Sequence, residues 1–317
     1  MQPSGPQQTL VDTVRELSPA AEHPALMHMA DILHHQYGHN LAAVLFYGSC
    51  LRGGDPYDGL VDLYVIIDRY RTAYESTLKA FWNHILPPNV FYAEFTYEQR
   101  TVRSKYAVLS CRDLLKGTSR RWYHSYLWGR FSQPTAIAWS RDDASRACIE
   151  KCLAQSVVTF LDRTLPALPE RDSVRSLWTG GLALSYSAEL RTEKPGRADE
   201  LVNHFSDYYH QVTAAARPLL AWPLEIRPDG SYHAPISSTT RVLHRFGWRI
   251  RRLQGKLLSL ARLIKALFTF EGGLDYLAWK LERHSGQPVE IPDRVRRHPL
   301  IFVWGLFWRL YRRGIFR

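Results

Sequence analysis

Gly48, Ser49 and Asp62 stand in an order that suits phosphate and metal chemistry. An apolar run, Ala42 to Phe46, ends in Tyr47-Gly-Ser. A polar spacer containing Asp55 and Asp58 follows, and a second apolar run, Val61 to Ile67, opens with Asp62. Glycine lets the backbone approach a ligand closely, and a serine hydroxyl with turn amides offers donors to phosphate oxygens. A carboxylate on a rigid strand can hold Mg²⁺ where those phosphates end. Positions two apart on a strand share a face, so a second carboxylate would belong at position 64, which is Tyr64. Two-metal chemistry needs more than one anionic ligand. The missing charge is sought in Asp55 or Asp58, in Glu94 on a later strand, or in the substrate's own phosphates. The bland alternative is a hairpin with a glycine turn and a chance aspartate.

The elements that must position these residues follow from hydrophobic period. Residues 1–37 read as one or two helices, with Leu10, Val11, Val14 and Leu17 at helical spacing. Strands are expected at Ala42–Phe46, Val61–Asp68, Val90–Thr96 and Val102–Leu109, with a helix near Tyr74–His84 that Pro87-Pro88 ends. Residues 111–240 read as mostly helical, over Asp113–Gly129, Ala144–Leu165, Val174–Leu190 and Asp199–Ala216. The fold class expected is α+β: a small mixed sheet with helices, then a mostly helical domain. Domain limits of 1–135, 136–238 and 239–317 follow, the last opening after the Pro/Gly/Ser-rich stretch Pro223–Ser238.

The net charge of +11 is unevenly spread. Residues 1–240 carry 24 Lys+Arg against 25 Asp+Glu, and residues 241–317 carry 17 against 5. A tail with a +12 balance calls for an anionic partner, a membrane or a nucleic acid. Its first part, Arg241–Phe270, sets Phe246, Ile250, Leu253, Leu257, Leu260, Ile264 and Leu267 at steps of three and four, with Arg245, Arg249, Arg252 and Lys256 on the other side. Half of that apolar stripe is expected to pack on the core. The chain's end offers Trp304, Phe307 and Trp308 to a headgroup boundary, with Arg309, Arg312 and Arg313 on lipid phosphates. No apolar run is long enough to span a bilayer. The thirteen histidines and four cysteines show no zinc spacing, and Cys148 and Cys152, one helical turn apart, read as two packed thiols. No zinc is expected, and a reducing cytosol fits best.

Asn89-Val-Phe-Tyr92, Ser104-Lys-Tyr-Ala-Val-Leu109, Asp113-Leu-Leu115, Trp128-Gly-Arg-Phe131 with Gln133-Pro134, and Ala183-Leu-Ser-Tyr-Ser-Ala-Glu-Leu-Arg191 occur in that order. With the Tyr47-Gly-Ser turn and the strand Asp62, the series resembles the mitochondrial-type phosphatidate cytidylyltransferases, which have a nucleotidyltransferase fold. The resemblance covers roughly residues 40–215. It departs where Ala93-Glu94 replaces Asn-Pro, Lys105-Tyr-Ala-Val replaces Lys-Tyr-Gly-Val, and Gln133-Pro134 replaces Lys-Pro.

The resemblance implies a reaction of CTP with phosphatidate that gives CDP-diacylglycerol and pyrophosphate, with Mg²⁺ as cofactor and the lipid in an anionic membrane surface. Asp62, Lys105 and Arg130 would be catalytic. Tyr47, Gly48, Ser49, Tyr186 and Arg191 would bind the nucleotide, and Asp62 would bind metal with Asp55, Asp58 or Glu94. Each has a plainer reading: Lys105 as an edge-strand lysine, Arg130 as a helix cap, Tyr186 as core, Glu94 as a satisfied strand-end acid. The phosphate site is expected to lie wholly before the tail, and Arg249, Arg252 and Lys256 to meet lipid beside the terminal aromatics. Nucleic acid is not expected as a partner, and the location expected is cytoplasmic, peripheral on the inner face of a bacterial membrane, with the matrix side of a mitochondrial inner membrane as the lesser alternative. The competing readings are a nucleotidyltransferase with RNA or a small molecule as acceptor, and an inactive lipid- or RNA-binding module.

Overall fold

Strand β2 (Leu60–Ile67) carries the pattern that organises the sheet. Asp62, Tyr64 and Ile66 point to one face and Val61, Leu63, Val65 and Ile67 to the other, and from Leu63 onward every residue is buried. A strand buried on both faces belongs at the centre of a layered structure. The computed structural model describes residues 5–48, 50–190 and 196–269, with 278–279, 282, 289, 291–297 and 305. In it β2 is the middle strand of a five-stranded mixed sheet of order β3-β4-β2-β1-β5, formed with β1 (Leu41–Tyr47), β3 (Asn89–Tyr97), β4 (Arg100–Ser110) and β5 (Ala136–Ser140). β2 and β4 run parallel and the other neighbours antiparallel. The fold class is α+β, as the sequence pattern predicts.

Each face has its own core. Helices α2 (Pro24–Tyr37) and α3 (Thr77–Ile85) cover one side, where Leu26, Leu33 and Ala80 meet Val44, Val61, Leu63, Val65 and Val108. The other side meets α1 (Pro6–Leu17), α4 (Cys111–Thr118), α5 (Trp128–Phe131), α6 (Asp143–Thr164), α7 (Val174–Ser187), α8 (Arg197–His204) and α9 (Ser206–Ala216). There Leu45, Tyr64, Ile66 and Leu109 join one continuous core with the helices. Its centre is an aromatic stack, Phe160 on Trp178, with ring centroids 4.5 Å apart and planes 9° from parallel.

Three readings are corrected. The single helix expected over Asp113–Gly129 is two, because the chain turns back at Thr118. Leu127 packs where a side chain at Gly117 would stand, which requires the fold-back. The strand β5 lies in a stretch read as helical; it adds to β1 and completes the sheet just past the expected limit of the first domain. A small second sheet, β6 (Arg171–Ser173), β7 (Glu225–Ile226) and β8 (Ser231–His233), occupies part of the stretch read as a boundary.

The largest difference concerns α10 (Ser238–Thr269), whose 32 residues form the basic amphipathic helix. The apolar stripe does not pack on the core. Val242, Leu243, Phe246, Ile250, Leu253, Leu257, Leu260, Leu263 and Ile264 are all between 47% and 66% exposed. The buried face holds Arg241, Trp248, Arg251, Lys265 and Thr269. It stays inside because backbone carbonyls satisfy its cations. The Arg241 guanidinium donates to the carbonyls of Ile236 and Ala234, at 3.1 and 2.7 Å. Arg251 donates to Tyr123 O at 2.7 Å and stacks against Tyr123 and Trp248. Gly255 permits the approach, since a Cβ there would run into the Ala188 carbonyl oxygen. Among the described residues no helix is long and apolar enough to cross a membrane.

Gly255→Ala is therefore expected to push α10 off the end of α7. Overpacking of this kind costs about 1–3 kcal/mol, read as a lower midpoint in urea unfolding. An unchanged midpoint would mean that this contact does not seat the helix.

Candidate functional site

The sheet register gathers the candidate chemistry into one cross-strand row. Tyr92 pairs with Lys105, Lys105 with Asp62, and Asp62 with Tyr47. All four side chains rise from the same face. Behind them run Val90, Ala107, Tyr64 and Leu45. The Lys105 ammonium lies 3.6 Å from Asp62 Oδ1. Gly48, directly after β1, has φ +95°, and a Cβ there would come within 2.9 Å of Asp62 Oδ2. Two constraints thus require glycine beside the carboxylate: a left-handed backbone and the space next to Oδ2.

Tyr64, at the position where a second carboxylate was sought, has a different task. It is fully buried, and its hydroxyl accepts a 3.0 Å hydrogen bond from Arg130 Nη1. The same nitrogen donates to Tyr126 at 3.3 Å, and Arg130 Nη2 donates to Glu189 at 3.0 Å. Burial pushes the Tyr64 phenol well up, and so keeps it neutral. Burial alone would lower Arg130, but Tyr64, Glu189 and Tyr126 together hold the guanidinium well above its ordinary value. Arg130 is a satisfied buried cation, with its fork committed to the protein.

Tyr47, Asp62, Lys105, Tyr126, Arg130 and Glu189 line a cleft of about 410 Å³ together with Arg262 and Lys265 from α10. The cleft that holds Asp62 and Lys105 is thus walled in part by the tail, whereas the sequence pattern places the phosphate site before the tail. Arg262 donates through Nε to Pro87 O at 3.2 Å, and its guanidinium lies 4.1 Å over the Tyr126 ring. Its Nη1 is buried with no hydrogen-bond partner among the described residues. Lys265 donates to the carbonyls of Leu86 and Pro88, at 2.6 Å each. Burial, reinforced by Arg262, pushes its ammonium down to about 7.

Of the expected site residues, Tyr47, Asp62, Lys105 and Arg130 line the cleft. Tyr186 does not line it; its hydroxyl bonds the Gln133 side chain at 3.2 Å. Asp55 pairs with Arg100 at 3.3 Å, and Asp58 is exposed in the spacer. Glu94 shares the face of Asp62 but is held by Tyr92 and Arg103, at 2.5 and 3.2 Å. Arg249, Arg252 and Lys256 are exposed on α10. Ser49, Arg191, Trp304, Phe307, Trp308, Arg312 and Arg313 lie outside the described residues. A larger cleft of about 1080 Å³, around Asp68, Cys111 and Lys116, holds none of the row.

Glu189, Tyr126, Arg262 and Lys265 were not foreseen. Glu189 was within reach, since it stands in the Ala183–Arg191 segment. The two α10 cations carried no signal, because basic residues on an amphipathic helix read as solvent- or lipid-facing. Among the described residues no group of three or more His, Cys, Asp or Glu is placed to hold a metal. Asp62 and Glu189 are the carboxylates lining the cleft. Asp62, on the cleft wall, is the carboxylate that could hold a cation of the Mg²⁺ type, which can take one protein carboxylate and fill its shell with phosphate oxygens and water.

Neither a protein-family model nor a curated protein matches the chain. Among solved structures it is similar to a nucleotidyltransferase-like protein from Exiguobacterium sibiricum 255-15, at 11% identity over 91% of each chain and a TM-score of 0.24. So distant a likeness carries no correspondence of residues or chemistry.

The buried Lys265 has a measurable consequence. Its ammonium titrates near 7 in the folded chain and near 10.4 when unfolded, so between these values the unfolded state binds more protons and stability rises with pH. Below about 7 the lysine is charged in both states and this gain is absent. Lys265→Met should remove the part of the rise between pH 7 and 10 that this group supplies, read as the difference in unfolding free energy between the two proteins. Parallel pH profiles for both would rule out the buried ammonium as its source.

Proposed function

We propose that this chain is a nucleotidyltransferase that transfers a cytidylyl group from CTP to phosphatidate at a membrane surface. The observation that carries the reading is the cross-strand row. Asp62 and Lys105 stand 3.6 Å apart beside the left-handed Gly48, in a cleft whose far wall is cationic. A triphosphate laid along the row would meet Lys105 at the sheet and Arg262 across the cleft. A phosphatidate oxygen would attack the α-phosphorus of CTP in line, forming one P–O bond as the bond to pyrophosphate breaks. The nucleophile is already anionic, so placement and charge neutralisation provide the catalysis. Asp62 is the residue to hold Mg²⁺, which would neutralise charge on the triphosphate. Arg130, committed to Tyr64, Tyr126 and Glu189, acts as a positioning residue that fixes the cleft wall.

The outer face of α10 supports a lipid acceptor. Its exposed stripe from Val242 to Ile264 runs roughly 33 Å at 1.5 Å per residue, flanked by exposed Arg245, Arg249, Arg252 and Lys256. Helix α3, which touches α10, adds exposed Leu78, Phe81 and Ile85. An apolar surface of this length bordered by cations suits an anionic bilayer. A second reading, an inactive binding module, draws on Tyr64 in place of a carboxylate and on the pairing of both cleft acids with cations.

Purified protein should release pyrophosphate from CTP, and far more slowly from ATP or GTP, only when phosphatidate vesicles and Mg²⁺ are present. Asp62→Asn should abolish turnover with the fold intact. CTP binding without turnover on any lipid would favour the inactive module. Ile250→Glu with Leu257→Glu should release the protein from anionic vesicles in sedimentation, and salt should weaken the wild-type interaction. Undiminished sedimentation of the double variant would place the lipid contact elsewhere.

A further inference from the structure

Helix α10 is fixed over the cleft at three places. Ser259 accepts from the Leu190 amide at 3.4 Å, Arg262 donates to Pro87 O, and Lys265 donates to the carbonyls of Leu86 and Pro88. The contacts fall on consecutive turns of the same helix face. They hold Arg262 with its guanidinium 4.1 Å over the Tyr126 ring and its Nε committed to backbone. Its Nη1 is buried and has no acceptor among the described residues, although a buried donor ordinarily finds one. An arginine stacked on an aromatic ring with one edge of its fork free is pre-organised to receive an oxyanion. The acids lining the same cleft are both engaged, Asp62 by Lys105 and Glu189 by Arg130.

We propose that Arg262 is a polyphosphate-binding residue of this cleft and that α10 forms the nucleotide site's outer wall, with Lys265 as the residue that positions it. The identity of the polyphosphate as a nucleoside triphosphate rests on the function proposed above; the anion site itself does not. One helix then presents its cationic side to the triphosphate and its apolar side to the lipid surface. The helix that meets lipid is thereby the helix that completes the nucleotide pocket.

The test is calorimetric titration of the full chain with CTP and, separately, with inorganic tripolyphosphate, each with Mg²⁺. Thermal unfolding of every variant serves as the fold control. Loss of one charge-assisted contact predicts an affinity about tenfold lower or more for both probes in Arg262→Gln. Arg262→Lys, which keeps charge and stem but not the fork, should fall between and serves if the glutamine variant does not fold. Should wild type bind CTP and a folded Arg262 variant bind it equally well, the role of Arg262 is overturned while the nucleotide reading stands. Should wild type bind tripolyphosphate in an Arg262-dependent way but not CTP, the anion site stands and the nucleotide reading fails. Binding of neither probe would overturn both.

Discussion

The buried guanidinium of Arg130 is the interaction on which the arrangement of this molecule depends. It reaches Tyr64 on the central strand, Tyr126 in the segment before α5, and Glu189 just past the end of α7. The sheet, the helical layer and the floor of the cleft therefore meet at one charge. A buried cation left without its partner costs about 3–5 kcal/mol, so all three must stay in register for any to be stable. This also explains the tyrosine at position 64. A carboxylate there would sit in the core under the cleft, whereas a phenol that stays neutral can be fully buried and still anchor the arginine.

Helix α10 follows a similar rule in an unusual orientation. Arg241, Arg251 and Lys265 face inward while its leucines face outward, against the ordinary preference for apolar burial. Inward cations are tolerable because carbonyls at the ends of loops, those of Leu86, Pro88, Tyr123, Ala234 and Ile236, accept from them. Outward leucines are tolerable in water only at a cost, which a partner surface on that face would remove. The helix therefore lines the cleft with its inner side and leaves an apolar stripe exposed on its outer side.

Much of the framework was legible in the residues. The four strands read from alternation are present within two residues at each end, and the Gly48–Asp62 proximity follows from a strand, a left-handed turn and a returning antiparallel strand. The split between α4 and α5 was not legible, because the helical period continues through a point where packing of Leu127 on Gly117 turns the chain. Five residues after Thr135 gave too little alternation to mark β5, whose existence depends on the open edge of β1.

The sequence by itself determined the α+β pattern, the turn beside Asp62, and the presence of one long basic amphipathic helix, because these depend on local period and on single-residue conformational limits. Only the tertiary structure decided which face of that helix is buried. Hydrophobic period reports that two faces differ, and ordinarily the apolar one goes inside. Here the acceptors on the core side are backbone carbonyls, which every residue carries and no sequence pattern reveals. The pairing of Glu189 with Arg130, 59 residues apart, is likewise a product of how α7 lies across the sheet.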